Sequence, residues 1–323
     1  MPGQPKKHLM LFSGRAYPDL AEQVAKQLDV TITPQSAWSF ANGEIFVRFE
    51  ESVRGSDAFV LQSHSAPIND QIMEQLLMVD ALKRASAKRI TVVMPFWGYS
   101  RQDKKHRGRE PISARLIADM FKVAGADRIM TIDLHTAQIQ GFFDGPVDHL
   151  FAMPVLAEHV KRTYAGHDLT VVSPDSGRVR LAERWAESLG GTPVAFIHKT
   201  RDPRRPNESR ANRLVGEIQG RLCIVIDDMI DTGGTVAKAV QALLAQGAKD
   251  VVVAATHGVL SGAASERLAA CGAREVIFTD TLPIPDEKRF PAMSVLPIAP
   301  LLAEAIHQVF DDGSVTSLFD GNA

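Results

Sequence analysis

Short, almost uninterrupted apolar runs alternate with segments of helical periodicity along nearly the whole chain. Runs at Leu9–Ser13, Ala58–Gln62, Ile90–Pro95, Ile129–Asp133, Thr170–Ser173, Val194–Ile197, Leu222–Asp227, Val251–Thr256 and Val276–Thr279 have the length and continuity of strands buried on both faces. Between them the spacing predicts helices. Asn69 is suited to cap one that runs to Ala85, with Ile72, Met73, Leu76, Leu77 and Ala81 facing inward. Others are expected over Ser113–Ala124, Pro154–Tyr164, Arg178–Leu189, Thr235–Gln246 and Gly262–Ala270. Strands alternating with helices in this way predict an α/β protein of mostly parallel sheets flanked by helices.

The same succession occurs on both sides of a point near Met153, and no linker rich in Gly, Ser or Pro separates the halves. With 323 residues against roughly 150 per domain, two domains are expected. Their spans are 8–152 and 153–300, with 301–323 returning to the first. Two charged stretches interrupt the rhythm, Trp97–Glu110 and Lys199–Arg213. Long polar connections in a compact α/β domain are commonly functional.

Charge narrows the partners. Lys and Arg number 36 and Asp and Glu 38, a net −2, which gives no global surface for nucleic acid and requires any anion site to be local. The two cysteines, Cys223 and Cys271, have neither the spacing of a zinc site nor a disulfide framework, and read as structural thiols of a reducing compartment. Met1–Lys7 is short and polar, and no apolar run approaches the ~18–20 residues of a membrane span. A soluble cytoplasmic protein is expected, so the sequon Asn207-Glu208-Ser209 carries little meaning.

The strongest chemical signal is the run from Cys223 to Thr235. A buried strand ends in Asp227 and Asp228, and Asp231-Thr232-Gly233-Gly234-Thr235 then turns into a helix. Glycines at that turn let backbone N–H groups face inward beside the hydroxyls of Thr232 and Thr235, which is how a helix N-terminus cradles phosphate. Asp227 and Asp228 are placed to accept hydrogen bonds from vicinal sugar hydroxyls. Asp175-Ser176-Gly177-Arg178 ends another strand in the same way, as a loop for a second anion or a hard cation, or as an ordinary helix cap. Arg101, Gln102 and Asp103 lie in the first charged stretch behind Phe96, Trp97 and Tyr99, suiting a phosphorylated ligand with a planar base. His135 follows Asp133 at a strand end and can ligate a metal or polarise a phosphate. Lys199 and Arg201, alternating on a segment expected to remain an open loop, can close over phosphates. Neither Gly-x-x-x-x-Gly-Lys-Ser/Thr nor Gly-x-Gly-x-x-Gly occurs, which disfavours a P-loop ATPase and a dinucleotide dehydrogenase.

The run through Thr235 resembles the sugar-diphosphate signature of type I phosphoribosyltransferases and ribose-phosphate diphosphokinases. With Ser39–Glu44, Gly98–Asp103, Arg109–Ile112, Asp133–His135, Gln138–Phe143, Asp148–Leu150, Ser173–Asp175, Lys199–Arg201 and Ser314-Val315, nearly the whole chain is similar to the bacterial class I diphosphokinases. That resemblance implies two type I phosphoribosyltransferase-like domains, with ATP and ribose 5-phosphate as substrates, Mg²⁺ as cofactor and a homohexamer. It implies ATP contacts at Phe40, Asn42, Gly43 and Glu44, offered to a neighbouring subunit, and at Arg101, Gln102 and Asp103. His135 and Asp175 would attend the metal, and Asp175–Arg178 the diphosphate. Lys199 and Arg201 would be catalytic, and Asp227, Asp228 and Asp231–Thr235 would hold the sugar phosphate. No nucleic acid or membrane partner is implied. Two positions depart from the pattern: many members have Asp at Asn42 and glycine at Arg178. Arg178 has two readings, a cation added to the diphosphate loop or a side chain pointing outward from the helix.

Overall fold

The computed structural model describes residues 8–201 and 209–319. The chain divides into two compact units. One takes it to Phe151 and adds Thr281–Pro283 and the segment from Ile298 onward; the other is Ala152–Asp280 with Ile284–Pro297. The sequence-based limits differ from these by Ala152, by the inset Thr281–Pro283 and by Ile298–Pro300.

In the first unit the elements are β1 (Leu9–Ser13), α1 (Pro18–Leu28), β2 (Gln35–Ser39), β3 (Ile45–Phe49), β4 (Asp57–Leu61), α2 (Ile68–Arg84), β5 (Arg89–Met94), α3 (Ser113–Ala124), β6 (Arg128–Ile132) and β7 (Val147–Leu150). Its sheet has the order β1-β4-β5-β6-β7, parallel throughout. Strands such as β4 are buried at every residue, which is why they read as continuous apolar runs rather than alternating ones. β2 and β3 form a separate antiparallel hairpin.

In the second unit come α4 (Met153–Thr163), β8 (Leu169–Ser173), α5 (Val179–Ser188), β9 (Val194–Arg201), β10 (Ser209–Val215), β11 (Leu222–Ile230), α6 (Gly234–Ala245), β12 (Asp250–Gly258), α7 (Ala264–Ala269), β13 (Glu275–Thr279) and β14 (Met293–Leu296), before α8 (Ala299–Phe310) rejoins the first unit. The sheet order is β10-β9-β8-β11-β12-β13-β14. All its pairs are parallel except β9 with β10. From β8 the order proceeds one way to β9 and from β11 the other way to β12, so the two central strands flank the point where the winding reverses. In open α/β sheets ligands gather beyond the carboxyl ends of strands at such a point.

Three expectations are corrected. Helix α2 starts at Ile68 after Pro67, with no side-chain cap; Asn69 lies inside it, and its Oδ1 accepts from the Tyr99 hydroxyl at 2.6 Å. On the same helix Met73 is exposed, while Glu74 and Gln75 are buried, because Glu74 accepts from Arg15 and Gln62 and Gln75 finds partners in the sheet. Finally, the expected open loop over Lys199–Arg213 is largely a ladder: β9 continues to Arg201 and β10 returns from Ser209, pairing Arg201 with Ser209 and Thr200 with Arg210. Residues 202–208, which include the rest of the basic Asp202–Pro206 stretch, lie outside the described residues.

The partners of Gln75 make a pH-sensitive element. Its amide nitrogen donates to the carbonyls of Val60 at 2.9 Å and Val93 at 3.2 Å, so its oxygen must accept, and it does so from His64 Nε2 at 2.9 Å. His64 Nδ1 then accepts from the Gly98 N–H at 3.0 Å. That arrangement needs a neutral imidazole, and burial holds the pKa of His64 down at about 4, against the Gln75 bond, which raises it. An unfolded chain protonates this side chain near 6.5. The stability it contributes is therefore complete above about pH 6.5 and is lost progressively as pH falls towards 4. Between pH 7 and pH 5 the loss is expected to reach about 2 kcal/mol. Urea unfolding at both values checks this: a His64→Gln variant should lose less stability on acidification than the parent, and equal pH slopes would refute it.

Candidate functional site

In the second unit β8 stays paired with β11 only from Leu222 to Val225, so Ile226–Ile230 continue past it while β12 supports them on the other side to Gly258. This overhang carries Asp227 and Asp228. At its end Gly233 takes φ +72 as the N-cap of α6, the left-handed conformation that favours glycine. A Cβ there would stand 3.4 Å from both the Ala264 carbonyl oxygen and Leu268 Cγ. The turn is pinned from behind: the Ser261 N–H donates to the Asp231 carbonyl at 2.9 Å, and Arg267 Nη1 donates to the Thr232 carbonyl at 2.7 Å. Thr232 and Thr235 are exposed and Gly233 is buried. With no side-chain cap on α6, its first-turn N–H groups remain available to an anion.

The acidic pair is held by Arg178. Its Nη2 lies 2.6 Å from Asp228 Oδ1 and its Nε 3.5 Å from Asp227 Oδ1, and the Asp228 N–H donates to Asp227 Oδ1 at 2.9 Å. Burial pushes Asp227 well above the usual carboxylate range, and the hydrogen bond and charge of Asp228 push the same way; Arg178 and the backbone N–H oppose them. Arg178 thus does not point outward from the helix: it folds back from the loop after β8 onto the acids of β11.

That loop begins at Asp175, whose Oδ1 accepts from the Gly177 N–H at 2.8 Å and caps the short turn Ser176–Arg178. Ser173 Oγ donates to the Asp175 carbonyl at 2.5 Å. The capping reading of this aspartate is realised through one carboxylate oxygen. Lys199 and Arg201 occupy alternate positions on β9, which pairs with β8 only up to Phe196, so their backbone continues past the same end of the sheet; their side chains lie outside the described set.

In the first unit, Phe40, Asn42, Gly43 and Glu44 form the tip of the β2–β3 hairpin, closed by the Phe40 N–H to the Glu44 carbonyl at 2.7 Å and the Gly43 N–H to the Phe40 carbonyl at 2.9 Å. Asn42 Oδ1 accepts from the Glu44 N–H at 3.1 Å. Phe40 and Trp38 are exposed, and Trp38 stacks on Phe46 with ring centroids 4.1 Å apart. Arg101, Gln102 and Asp103 follow β5, on a loop anchored by Gly98 and His64. Gln102 Oε1 accepts from Ser113 Oγ at 2.6 Å. Asp103, expected among the nucleotide contacts, is 5% exposed; its Oδ2 accepts from Thr136 Oγ1 at 2.7 Å and Gln138 Nε2 at 3.1 Å. It ties the Arg101 loop to the segment after β6 that bears His135. On the near side of His135, the Leu134 N–H donates to His149 Nε2 at 2.9 Å. Sequence reasoning missed His64, Gln75 and Thr136; a polar Gln62-Ser63-His64 directly after an apolar strand was the available signal.

Among the described residues no group of three or more His, Cys, Asp or Glu side chains is arranged to hold a metal ion. His135 belongs to the first unit and Asp175 to the second. Cys223 and Cys271 are buried, and burial raises the Cys223 thiol to about 12, as inert structural thiols require. No helix among the described residues is long and apolar enough to cross a membrane.

Comparison with known proteins agrees across the chain. Residues 9–125 match a family model described as the N-terminal domain of ribose phosphate pyrophosphokinase, and residues 170–320 match the phosphoribosyl synthetase-associated domain. A ribose-phosphate pyrophosphokinase of Mycobacterium bovis is 68% identical over 318 residues, 98% of both chains. One from Corynebacterium glutamicum is 64% identical over 320 residues, 99% of this chain and 98% of its own. The crystal structure of phosphoribosylpyrophosphate synthetase from Mycobacterium smegmatis superposes with a TM-score of 0.91 at 66% identity, covering 95% of this chain and all of the other.

Proposed function

The chain belongs to the ribose-phosphate pyrophosphokinase family, and from that premise we propose that it transfers the β,γ-diphosphoryl group of ATP to the 1-hydroxyl of ribose 5-phosphate, giving 5-phosphoribosyl 1-diphosphate and AMP. The observation that carries the reading is the overhang of β11 with its largely buried acidic pair and left-handed Gly233 turn, at the reversal of sheet order. Such a site suits a ligand with adjacent hydroxyls at one end and phosphate at the other. The acids accept from the sugar hydroxyls, and the N–H groups and hydroxyls of Asp231–Thr235 receive the 5-phosphate.

Displacement at the β-phosphorus needs in-line alignment of the sugar oxygen and neutralisation of charge more than it needs covalent catalysis. Holding the sugar between its acids and its phosphate fixes the 1-hydroxyl. Lys199 and Arg201 supply cations to the transferred group, and their approach excludes water that would otherwise hydrolyse ATP. Phe40, Asn42, Gly43 and Glu44 serve the nucleotide of a neighbouring subunit, completed by Arg101 and Gln102, with Asp103 acting behind them. On this reading the first unit is the ATP domain, the second the sugar domain, and the assembly a cytoplasmic homohexamer.

Mg²⁺ fits the donor set: it prefers oxygen, keeps several waters and binds chiefly through substrate phosphates. In the second unit Asp175, with one oxygen engaged by Gly177, would help hold it, and when bound it would supply neutralising charge to the triphosphate.

A coupled assay tests the reaction. AMP should form from ATP only when ribose 5-phosphate is present, with no nucleobase added. Turnover that required a nucleobase, or that yielded ADP, would refute the proposal.

A further inference from the structure

The Arg178 guanidinium joins the turn after β8 to the acids of β11, the two strands that flank the sheet reversal. We infer that Arg178 is a positioning residue for ribose 5-phosphate, an internal counter-ion that keeps Asp227 and Asp228 together as paired carboxylate acceptors for the sugar hydroxyls. The inference rests on the sugar-binding assignment of that acidic pair.

Asp227 and Asp228 are consecutive on β11, and their side chains are only 19% and 6% exposed. Two like charges so close, with little water to screen them, favour protonation of one or separation of both. Either change weakens sugar recognition, because a hydroxyl donates more strongly to a carboxylate than to a neutral acid. Arg178 offsets part of this conflict with two donors: Nη2 meets Asp228 Oδ1 at 2.6 Å and Nε approaches Asp227 Oδ1 at 3.5 Å. Both contacts fall on Oδ1 atoms.

The position of Arg178 in the backbone adds a second consequence. It ends the turn that Asp175 caps and immediately precedes α5. The placement of the acids is therefore set from the loop proposed for the diphosphate, and a guanidinium is suited to this bidentate task in a way a flexible ammonium is not.

Steady-state kinetics of the full-length enzyme with ATP, Mg²⁺ and ribose 5-phosphate tests the inference. Arg178→Gln should raise KM for ribose 5-phosphate about tenfold, the size expected for weakening one charge-assisted hydrogen bond. KM for ATP and kcat should change less than about threefold. Arg178→Lys, which keeps the charge, should recover part of the loss. In an Asp228→Asn background, where the repulsion is already gone, adding Arg178→Gln should raise KM by less than about threefold, the non-additivity that direct coupling requires. An unchanged or lowered KM in Arg178→Gln, an equal increase in both backgrounds, or a lysine variant no better than glutamine would each overturn the role. If Arg178→Gln does not fold, the lysine variant alone and within Asp228→Asn carries the same comparison. Absence of ribose 5-phosphate turnover in the unaltered enzyme would instead overturn the reading of the site.

Discussion

Replacing Lys199 by Ala should lower turnover by ~10²-fold or more, the cost of removing a cation that acts on charge developing in the transition state. On the proposed role, in which the lysine serves the transferred group rather than the sugar, KM for ribose 5-phosphate should stay within about threefold of the parent value. The argument is positional. β9 leaves its partner β8 at Phe196, so Lys199 and Arg201 extend beyond the strand end that carries Asp175. The antiparallel return strand β10 holds the backbone of this basic segment there. Steady-state rates at saturating substrates check the expectation, and undiminished turnover would remove this segment from the reaction.

A second large effect is expected at Gly233. Its φ of +72 costs an L side chain roughly 1–2 kcal/mol, and a β-branched residue more. The Cβ itself would already touch the Ala264 carbonyl and Leu268 at 3.4 Å, so the γ-methyls of a valine have little room beyond it. Gly233→Val can relieve both only by moving the turn, and the turn is what aims the N–H groups of Asp231–Thr235. Losing charge-assisted contacts worth about 1.5–3 kcal/mol together with that strain should lower kcat/KM for ribose 5-phosphate by roughly 10²-fold, with the loss appearing mainly in KM. An unaffected kcat/KM would mean that the phosphate is held elsewhere.

What could be read from the residues alone follows from the physics of each element. The central strands of both sheets were legible because burial on both faces leaves continuous apolar runs, as in Leu222–Ile226. β10 was not: Ser209–Val215 is polar and charged, and becomes a strand through its pairing with β9. The β2–β3 hairpin was hidden for a related reason, since its strands are short and only partly buried. Helical periodicity misassigned Met73 because it cannot foresee that Gln75 will meet His64 and the sheet carbonyls.

The site divides in the same way. The glycine turn after Asp231 was legible because a strand, two acids and a helix start are contiguous in sequence. Arg178 on Asp227 and Asp228 was not, because the contact joins residues about fifty positions apart and requires the order of β8 and β11 in the sheet. Asp103 likewise looked like a ligand contact from its neighbours Arg101 and Gln102. Its burial and its bonds to Thr136 and Gln138 give it the task of joining two loops.

The central claim is transfer of an intact diphosphoryl group to the sugar. ATP labelled at the β-phosphorus, incubated with ribose 5-phosphate, Mg²⁺ and the enzyme, tests it most directly. The label should pass entirely into a sugar diphosphate, with unlabelled AMP released in equal amount. Label retained in ADP, or released as orthophosphate, would contradict the account.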